Sequence, residues 1–174
     1  MDAEAFETLY HAHYAALLRY GVRRIDHDTA LDVVAETFLI AWRRPDAVPV
    51  DNPLPWLYAT ARRVLANHRR ALTRRDHLDE RIGAMATNGG TPVVADHADG
   101  VAARTDVLRA LAELSPSDQE VLMLTEWDGL PATTAAEALG CTLSAFKVRL
   151  HRARHRLAAL MTTPRMYAVK GQTT

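Results

Sequence analysis

His151 and His155 stand four residues apart, a spacing that brings two imidazoles onto one face of a helix and within reach of one zinc ion. No nearby carboxylate or thiol completes such a site, so solvated or phosphate-facing histidines are expected there, and neither a metal nor another cofactor is expected. Cys141 is the single cysteine, which excludes an internal disulfide and a thiolate zinc site built from this chain alone. No histidine-plus-carboxylate set surrounds it in the sequence to make it a nucleophile, and no phosphate-cradling glycine loop is present. The chain is therefore not read as an enzyme. What remains is cationic chemistry. Lys147, Arg149, Arg152, Arg154 and Arg156 crowd one short stretch, and Arg62, Arg63, Arg69 and Arg70 crowd another. Side chains of this kind meet phosphates and the edges of bases.

These clusters stand out against a neutral whole. The 174 residues carry 21 Lys+Arg and 21 Asp+Glu. Residues 51–75 are net +5 and residues 131–174 net +6, while 1–50, 76–103 and 104–130 are net −3, −4 and −4. One basic block is usually a solvated helix face; two similar blocks suggest two places that meet one polyanion. Hydrophobic residues at 48% and charged residues at 24% are globular composition. The longest stretch without Asp, Glu, Lys or Arg, Ile82 to Ala95, is 14 residues broken by glycine and proline, too short to span a bilayer. The acidic N-terminus lacks the basic start of a signal peptide, so a cytoplasmic protein without membrane insertion is expected.

The elements that must position the clusters are helices. Phe6, Leu9, Tyr10, His13, Leu17 and Leu18 recur at three- and four-residue spacing and predict a helix before Gly21. A second is expected from an N-cap at Asp28 to Pro45, with Leu31, Val34, Phe38 and Ala41/Trp42 inward. Prolines make Pro45 to Pro55 a loop. A third helix is expected from Pro53–Trp56 to about Leu72, burying Leu57, Ala61, Val64 and Leu65. Residues 73–103, with Asn88-Gly89-Gly90-Thr91-Pro92, read as a flexible acidic linker. Helices resume near Thr105; Ser115-Pro116-Ser117-Asp118 reads as an N-cap, a first-turn proline and an acidic third position. Period-two alternation is nowhere sustained, so no sheet is expected.

Leu130 to Leu160 carries the most specific local pattern. A short helix from Pro131 to Leu139 closes at Gly140, a turn follows through Cys141 and Thr142, and a longer helix begins. Small Ala136, Gly140 in the left-handed position and apolar Phe146 are the residues a helix-turn-helix requires at these offsets. In the second helix Phe146, Leu150, Ala153, Leu157 and Leu160 line the inside. Ser144, Lys147, Val148, His151, Arg152 and His155 point outward, flanked by Arg149, Arg154 and Arg156.

The segment Asp28 to Arg43, containing Asp32, Glu36, Phe38 and Trp42, resembles region 2.2 of bacterial sigma factors. Trp56 to Arg70 resembles regions 2.3 and 2.4, and Leu111 to Arg154 is similar to region 4. Their order, and the absence of a domain between them, resembles the short extracytoplasmic-function (ECF) sigma factors. The resemblance covers about residues 5–72 and 104–160. It implies an all-α chain of two small helical domains: a region 2 bundle (1–72), the linker (73–103), a region 4 helix-turn-helix (104–161) and a disordered tail (162–174).

Family roles then fall on particular residues. Asp32, Val33, Glu36, Ile40 and Arg43, expected outside the inward stripe of the second helix, would dock the clamp helices of the β′ subunit of core polymerase, with the β flap a second contact. Asp51 and Asn52 in the loop, with Tyr58, Arg62, Arg63, Asn67, Arg69 and Arg70, would recognise and melt the −10 element, stacking being worth roughly 1–3 kcal/mol per base. Ala47 to Pro53 would be the loop that captures a flipped base. Trp56 serves either there or in the core. Ser144, Ala145, Lys147, Val148, Arg149, His151 and Arg152 would read the −35 element, Val148 being suited to a thymine methyl. The partners implied are core polymerase and promoter DNA. An anti-sigma factor is common in the family, though no residue here identifies one. The competing reading is a free-standing helix-turn-helix regulator whose N-terminal helices dimerise or sense.

Overall fold

The computed structural model describes residues 1–82 and 101–162, which form seven α-helices and no strand. Helices α1 (Ala3–Val22), α2 (His27–Arg43) and α3 (Leu54–Ile82) make an N-terminal unit. Helices α4 (Val101–Glu113), α5 (Pro116–Leu122), α6 (Ala132–Ala138) and α7 (Leu143–Thr162) make a C-terminal one. The two ends of the expected linker are thus helical, in α3 and α4. Residues 83–100 and the tail from 163 lie outside the described residues.

Local chemistry sets most boundaries. Asp2 accepts the Ala5 N–H at 2.8 Å to start α1, and Asp26 accepts that of Thr29 at 3.0 Å to start α2. The cap of α2 is therefore Asp26, not the expected Asp28, which lies within the first turn with its side chain in solvent. Two aspartates two residues apart offer the same local signal. The choice falls to Asp26 because Arg24 and Ile25 N–H groups bond back to the Gly21 carbonyl, closing α1 immediately before it. Ser115 accepts the Asp118 N–H and Pro116 follows at the first helical position, as the sequence predicts. Beyond Leu122 the helix widens into a π-helical turn over Met123–Trp127, a feature absent from the sequence reading.

In the N-terminal unit α2 packs against both α1 and α3. Leu17, Val33, Val34, Phe38, Leu57, Ala61 and Val64 are buried between them, each larger aliphatic contributing about 1.5–3 kcal/mol by leaving water. Gly21 lets α1 and α2 approach closely: a Cβ there would stand 2.9 Å from the Ala30 Cβ, inside the about 3.5–4.0 Å at which carbons pack. In the C-terminal unit Phe146, Leu150 and Ala153 of α7 are buried, and α5 and α6 pack on α7. Gly140 has φ +66° and Ala136 is buried, so the turn between α6 and α7 is the expected one. The units also meet: α3 lies against α6, and one apolar cluster runs through both.

Candidate nucleic-acid interface

Helix α7 is held by its buried face and presents the other. Ser144, Ala145, Lys147, Val148, Arg149, His151 and Arg152 are all exposed, as the sequence predicts. Thr142 accepts the Ala145 N–H at 3.2 Å and so caps the start of this helix. The exposed face borders a cleft of about 590 Å³ between α7 and the start of α5, into which Arg149, Arg152 and Arg156 project beside Ser115, Ser117 and Ser144. Arg156 is fixed there by the buried Asp118 carboxylate at 2.5 Å. Arg154 turns aside to Glu126, also at 2.5 Å. Three guanidiniums and three hydroxyls around an open cleft are donors suited to a polyanionic backbone.

The second basic face lies on α3. Arg62, Arg63, Asn67, Arg69 and Arg70 are exposed. Arg70 donates to Asn67 Oδ1 at 2.5 Å, Arg63 to Thr60 Oγ1 at 3.2 Å and Arg69 to the Arg24 carbonyl at 2.8 Å. Tyr58 is not with them. It is 3% exposed and packs edge-on against the Tyr20 ring with centroids 5.3 Å apart. Burial pushes its phenol up to about 12. The expectation that Tyr58 meets a base is corrected: one turn into α3, its ring falls on the stripe that includes Leu57 and Ala61 and fills the core. Trp56 is half-buried and packs on that core. Asp51 and Asn52 are exposed in the loop ahead of α3, after a 3-10 turn at Pro45–Ala47, and Asn52 donates to Glu137 of α6 at 3.5 Å.

On α2, Asp32, Glu36 and Arg43 are exposed and Ile40 is half-buried. Val33 is corrected from outward to fully buried. Because α2 contacts two helices rather than one, its buried face is wider than a single stripe and takes in Ala30, Val33, Val34, Thr37, Phe38 and Ala41. The hydroxyl of Thr37 is satisfied by the Val33 carbonyl at 2.7 Å. Glu36 and His68 of α3 stand 3.2 Å apart. Trp42, expected inward, is 45% exposed, and Leu39 is 44% exposed. With Phe6, Tyr10 and Phe38 they line an apolar groove of about 640 Å³ between α1 and α2. Leu39 between Phe38 and Ile40 is the sequence sign of that surplus apolar surface.

A buried charged cluster sits where the units meet. Arg24 lies 3.8 Å from the Tyr20 ring centroid, donates to Glu120 Oε2 at 3.3 Å and places Nη2 2.9 Å from Asp128 Oδ2. The last contact is an ion pair lacking hydrogen-bond alignment. Tyr20 donates to Glu120 Oε1 at 3.1 Å; burial, reinforced by Glu120, holds its phenol well above the usual range. Burial alone would lower the Arg24 pKa, but Glu120, Tyr20 and Asp128 outweigh it and raise it. Arg23 donates to the Trp127 carbonyl and, at 3.0 Å, to Asp128. The sequence reading misses this cluster, whose partners lie about a hundred residues apart; its one sign is the adjacent Arg23-Arg24 after Gly21. Among the described residues no His/Cys/Asp/Glu group is arranged to hold a metal, and no helix is long and apolar enough to cross a membrane.

Comparison with known proteins adds identity to this geometry. Residues 9–75 match the family model for sigma-70 region 2, and residues 104–157 that for sigma-70 region 4. The chain is 31% identical over 154 residues to the ECF RNA polymerase sigma factor SigL of Mycobacterium tuberculosis, covering 86% of this chain and 85% of that one. It is 33% identical over an alignment of 178 positions to the RNA polymerase sigma factor CnrH of Cupriavidus metallidurans, covering 92% of this chain and 88% of that one. Among solved structures, the sigma factor RpoE of Bartonella quintana, crystallised with the anti-sigma factor NepR, matches with a TM-score of 0.64 at 25% identity, over 91% of this chain and 99% of that one.

Proposed function

The chain belongs to the extracytoplasmic-function sigma factors of bacterial RNA polymerase, and we propose that it divides promoter recognition between α3 and α7 while α2 holds the polymerase. Its role is that of the family, directing core polymerase to promoters in transcription initiation. The family is not one of enzymes in general; this chain acts by binding, without a covalent step of its own, in the cytoplasm where polymerase works.

The observation that carries the division is two exposed arginine-rich faces on separate units, with the acidic and apolar surface of α2 beside one of them. Asp32, Glu36, Ile40 and Arg43 dock the β′ clamp helices, and region 4 meets the β flap. Val33 supports that surface from beneath. Asp51, Asn52, Arg62, Arg63, Asn67, Arg69 and Arg70 take the −10 element. Ser144, Ala145, Lys147, Val148, Arg149, His151 and Arg152 take the −35 element, with Arg156 and the α5 serines bordering them. Residues 1–72 and 104–161 act as the two working domains, and 73–103 tethers them. An anti-sigma factor, of the kind bound to the RpoE relative, is the regulatory partner in keeping with this reading.

In vitro transcription tests the reading: the purified chain is combined with bacterial core polymerase on a genomic fragment library, and start sites are mapped. Reproducible starts sharing two spaced upstream elements are expected. Absence of core binding and of starts, with duplex binding by the chain alone, would favour a free-standing regulator instead.

A further inference from the structure

Helix α7 carries its exposed charge on two neighbouring stripes. Lys147, His151 and His155, spaced by four residues, are exposed and stand clear of the cleft beside α5. Ala145, Arg149, Arg152 and Arg156 recur at three- and four-residue spacing on the next stripe and wall that cleft of about 590 Å³ against Ser115 and Ser117. The arginines differ in what already holds them. Arg154 and Arg156 are paired with Glu126 and Asp118. Among the described residues Arg149 and Arg152 have no carboxylate or hydrogen-bond partner, and the Ser117 and Ser144 hydroxyls have none either. The Asp118 carboxylate, 6% exposed, is balanced by Arg156, so the cleft keeps two uncompensated guanidiniums. Part of its wall is apolar: Val148, beside Ala145, is 51% exposed.

That combination is more than a duplex backbone requires. A DNA strand offers one charge per about 3.4 Å of axis, and a basic helix face meets it without a concavity. The cleft instead has the size of small-molecule sites, about 300–1,000 Å³. Free guanidiniums and hydroxyls around one hollow suit a run of linked phosphates, and an apolar wall with flat guanidinium faces suits a stacked ring. We infer that the cleft binds a nucleoside triphosphate, with its phosphates among Arg149, Arg152, Arg156 and the Ser117 and Ser144 hydroxyls and its base against Ala145 and Val148. A bound nucleotide shuts out the −35 element, because Ser144, Ala145, Val148, Arg149 and Arg152 serve both; this part rests on the reading of α7 given above. Initiation at promoters that depend on the −35 element thereby falls as nucleotide rises.

Equilibrium dialysis of the full chain against labelled ATP at fixed ionic strength tests the site without DNA or polymerase. ATP should saturate one site per chain, inorganic triphosphate should displace it only at several-fold higher concentration, and inorganic phosphate only at far higher. Binding that does not saturate, or displacement by triphosphate at equal concentration, overturns the nucleotide site. Ser117→Glu brings a carboxylate into the cleft from α5, at an exposed first-turn position where an acidic residue suits the helix. It should weaken ATP binding by about tenfold or more, and Arg149→Gln should weaken it several-fold. Lys147→Ala removes the same charge outside the cleft and should leave ATP binding nearly unchanged. Equal losses in Lys147→Ala and Arg149→Gln, or no loss in Ser117→Glu with far-UV helicity retained, overturn the placement in the cleft. Anisotropy of a labelled promoter fragment from the library above, with core polymerase and no divalent cation, tests the exclusion. Promoter binding by the native chain should weaken several-fold on adding ATP, and that by Ser117→Glu should not respond. An equal response of the two, or none from the native chain, overturns the exclusion and leaves the sigma reading intact. No promoter binding with core before ATP is added overturns the sigma reading instead, and the dialysis still decides the cleft.

Discussion

Glu36 of α2 and His68 of α3 stand 3.2 Å apart, so the helix proposed to hold polymerase is tied to the helix proposed to meet the −10 element. Both side chains are partly in solvent, at 46% and 30% exposed. The pair therefore links orientation more than it stabilises, side-chain contacts this open to solvent being worth about 0–1 kcal/mol. It joins the two helices through one contact near their exposed faces.

Charge reversal at that face, Glu36→Lys with Arg43→Glu, should weaken binding to core polymerase by about tenfold or more, about 1.4 kcal/mol. The melting temperature should fall only slightly, since both residues are exposed. Fluorescence titration against core, alongside thermal melts, separates the two effects. Unchanged affinity would remove α2 from the interface.

Lys147→Ala and Arg152→Ala should impair initiation at promoters that depend on the −35 element and leave core binding intact. Removing a side chain that neutralises one phosphate should lower the slope of log affinity against log salt by about 1. Should core binding fall together with −35 use, the assignment of separate duties to the two units is wrong.

Tyr58 belongs to the core, so Tyr58→Phe should initiate transcription and melt promoters as the native residue does. Tyr58→Ala should cost about 3–5 kcal/mol, as for other large aromatic truncations. The raised phenol adds a pH signature. Its folded value of about 12 lies above the ordinary phenol value of 10.0, so the fold binds the proton more tightly than the unfolded chain. That stabilisation is complete below pH 10 and is lost as pH rises towards 12. Denaturant melts at about pH 9 and about pH 11, either side of the unfolded phenol's titration, should show a smaller decline for Tyr58→Phe than for the native chain.

Asp26→Ala should destabilise the fold by about 0.5–2 kcal/mol. The Thr29 N–H holds the Asp26 carboxyl below its usual range. The stabilisation from this cap is present above pH 3.8 and disappears as pH falls through the lowered value. The alanine variant should lack that share of acid sensitivity. Asp28→Ala, without a capping bond, should behave nearly as the native protein in the same melts.

Much of this fold is legible in the residues. Ser115 and Pro116 announce α5, while Ala136, Gly140 and Phe146 announce the helix-turn-helix, because each requirement is satisfied within a few residues of chain. The errors share one origin. Val33 is misplaced by a single-stripe reading of α2, because the width of a buried face depends on how many neighbours the helix has, and Trp42, in the last turn of that helix, lies at the rim of the face against Phe6. Tyr58 carries both a base-stacking ring and a core-filling ring, and only its neighbour Tyr20 decides between them. The Arg24 cluster joins residues so far apart that no local pattern records it. The exposed arginines of α3 and α7 are easier to place, since a basic helical face needs only solvent to remain as it is.

The π turn at Met123–Trp127 carries a consequence for how such chains diverge. Asp128 reaches Arg24 after the helix has widened by one residue. Wound as a regular α-helix, the same residues would instead place Asp128 about 100° further round the axis, away from the arginine with which it is buried. The bond between the two halves is thus written in the count of residues as much as in their kinds.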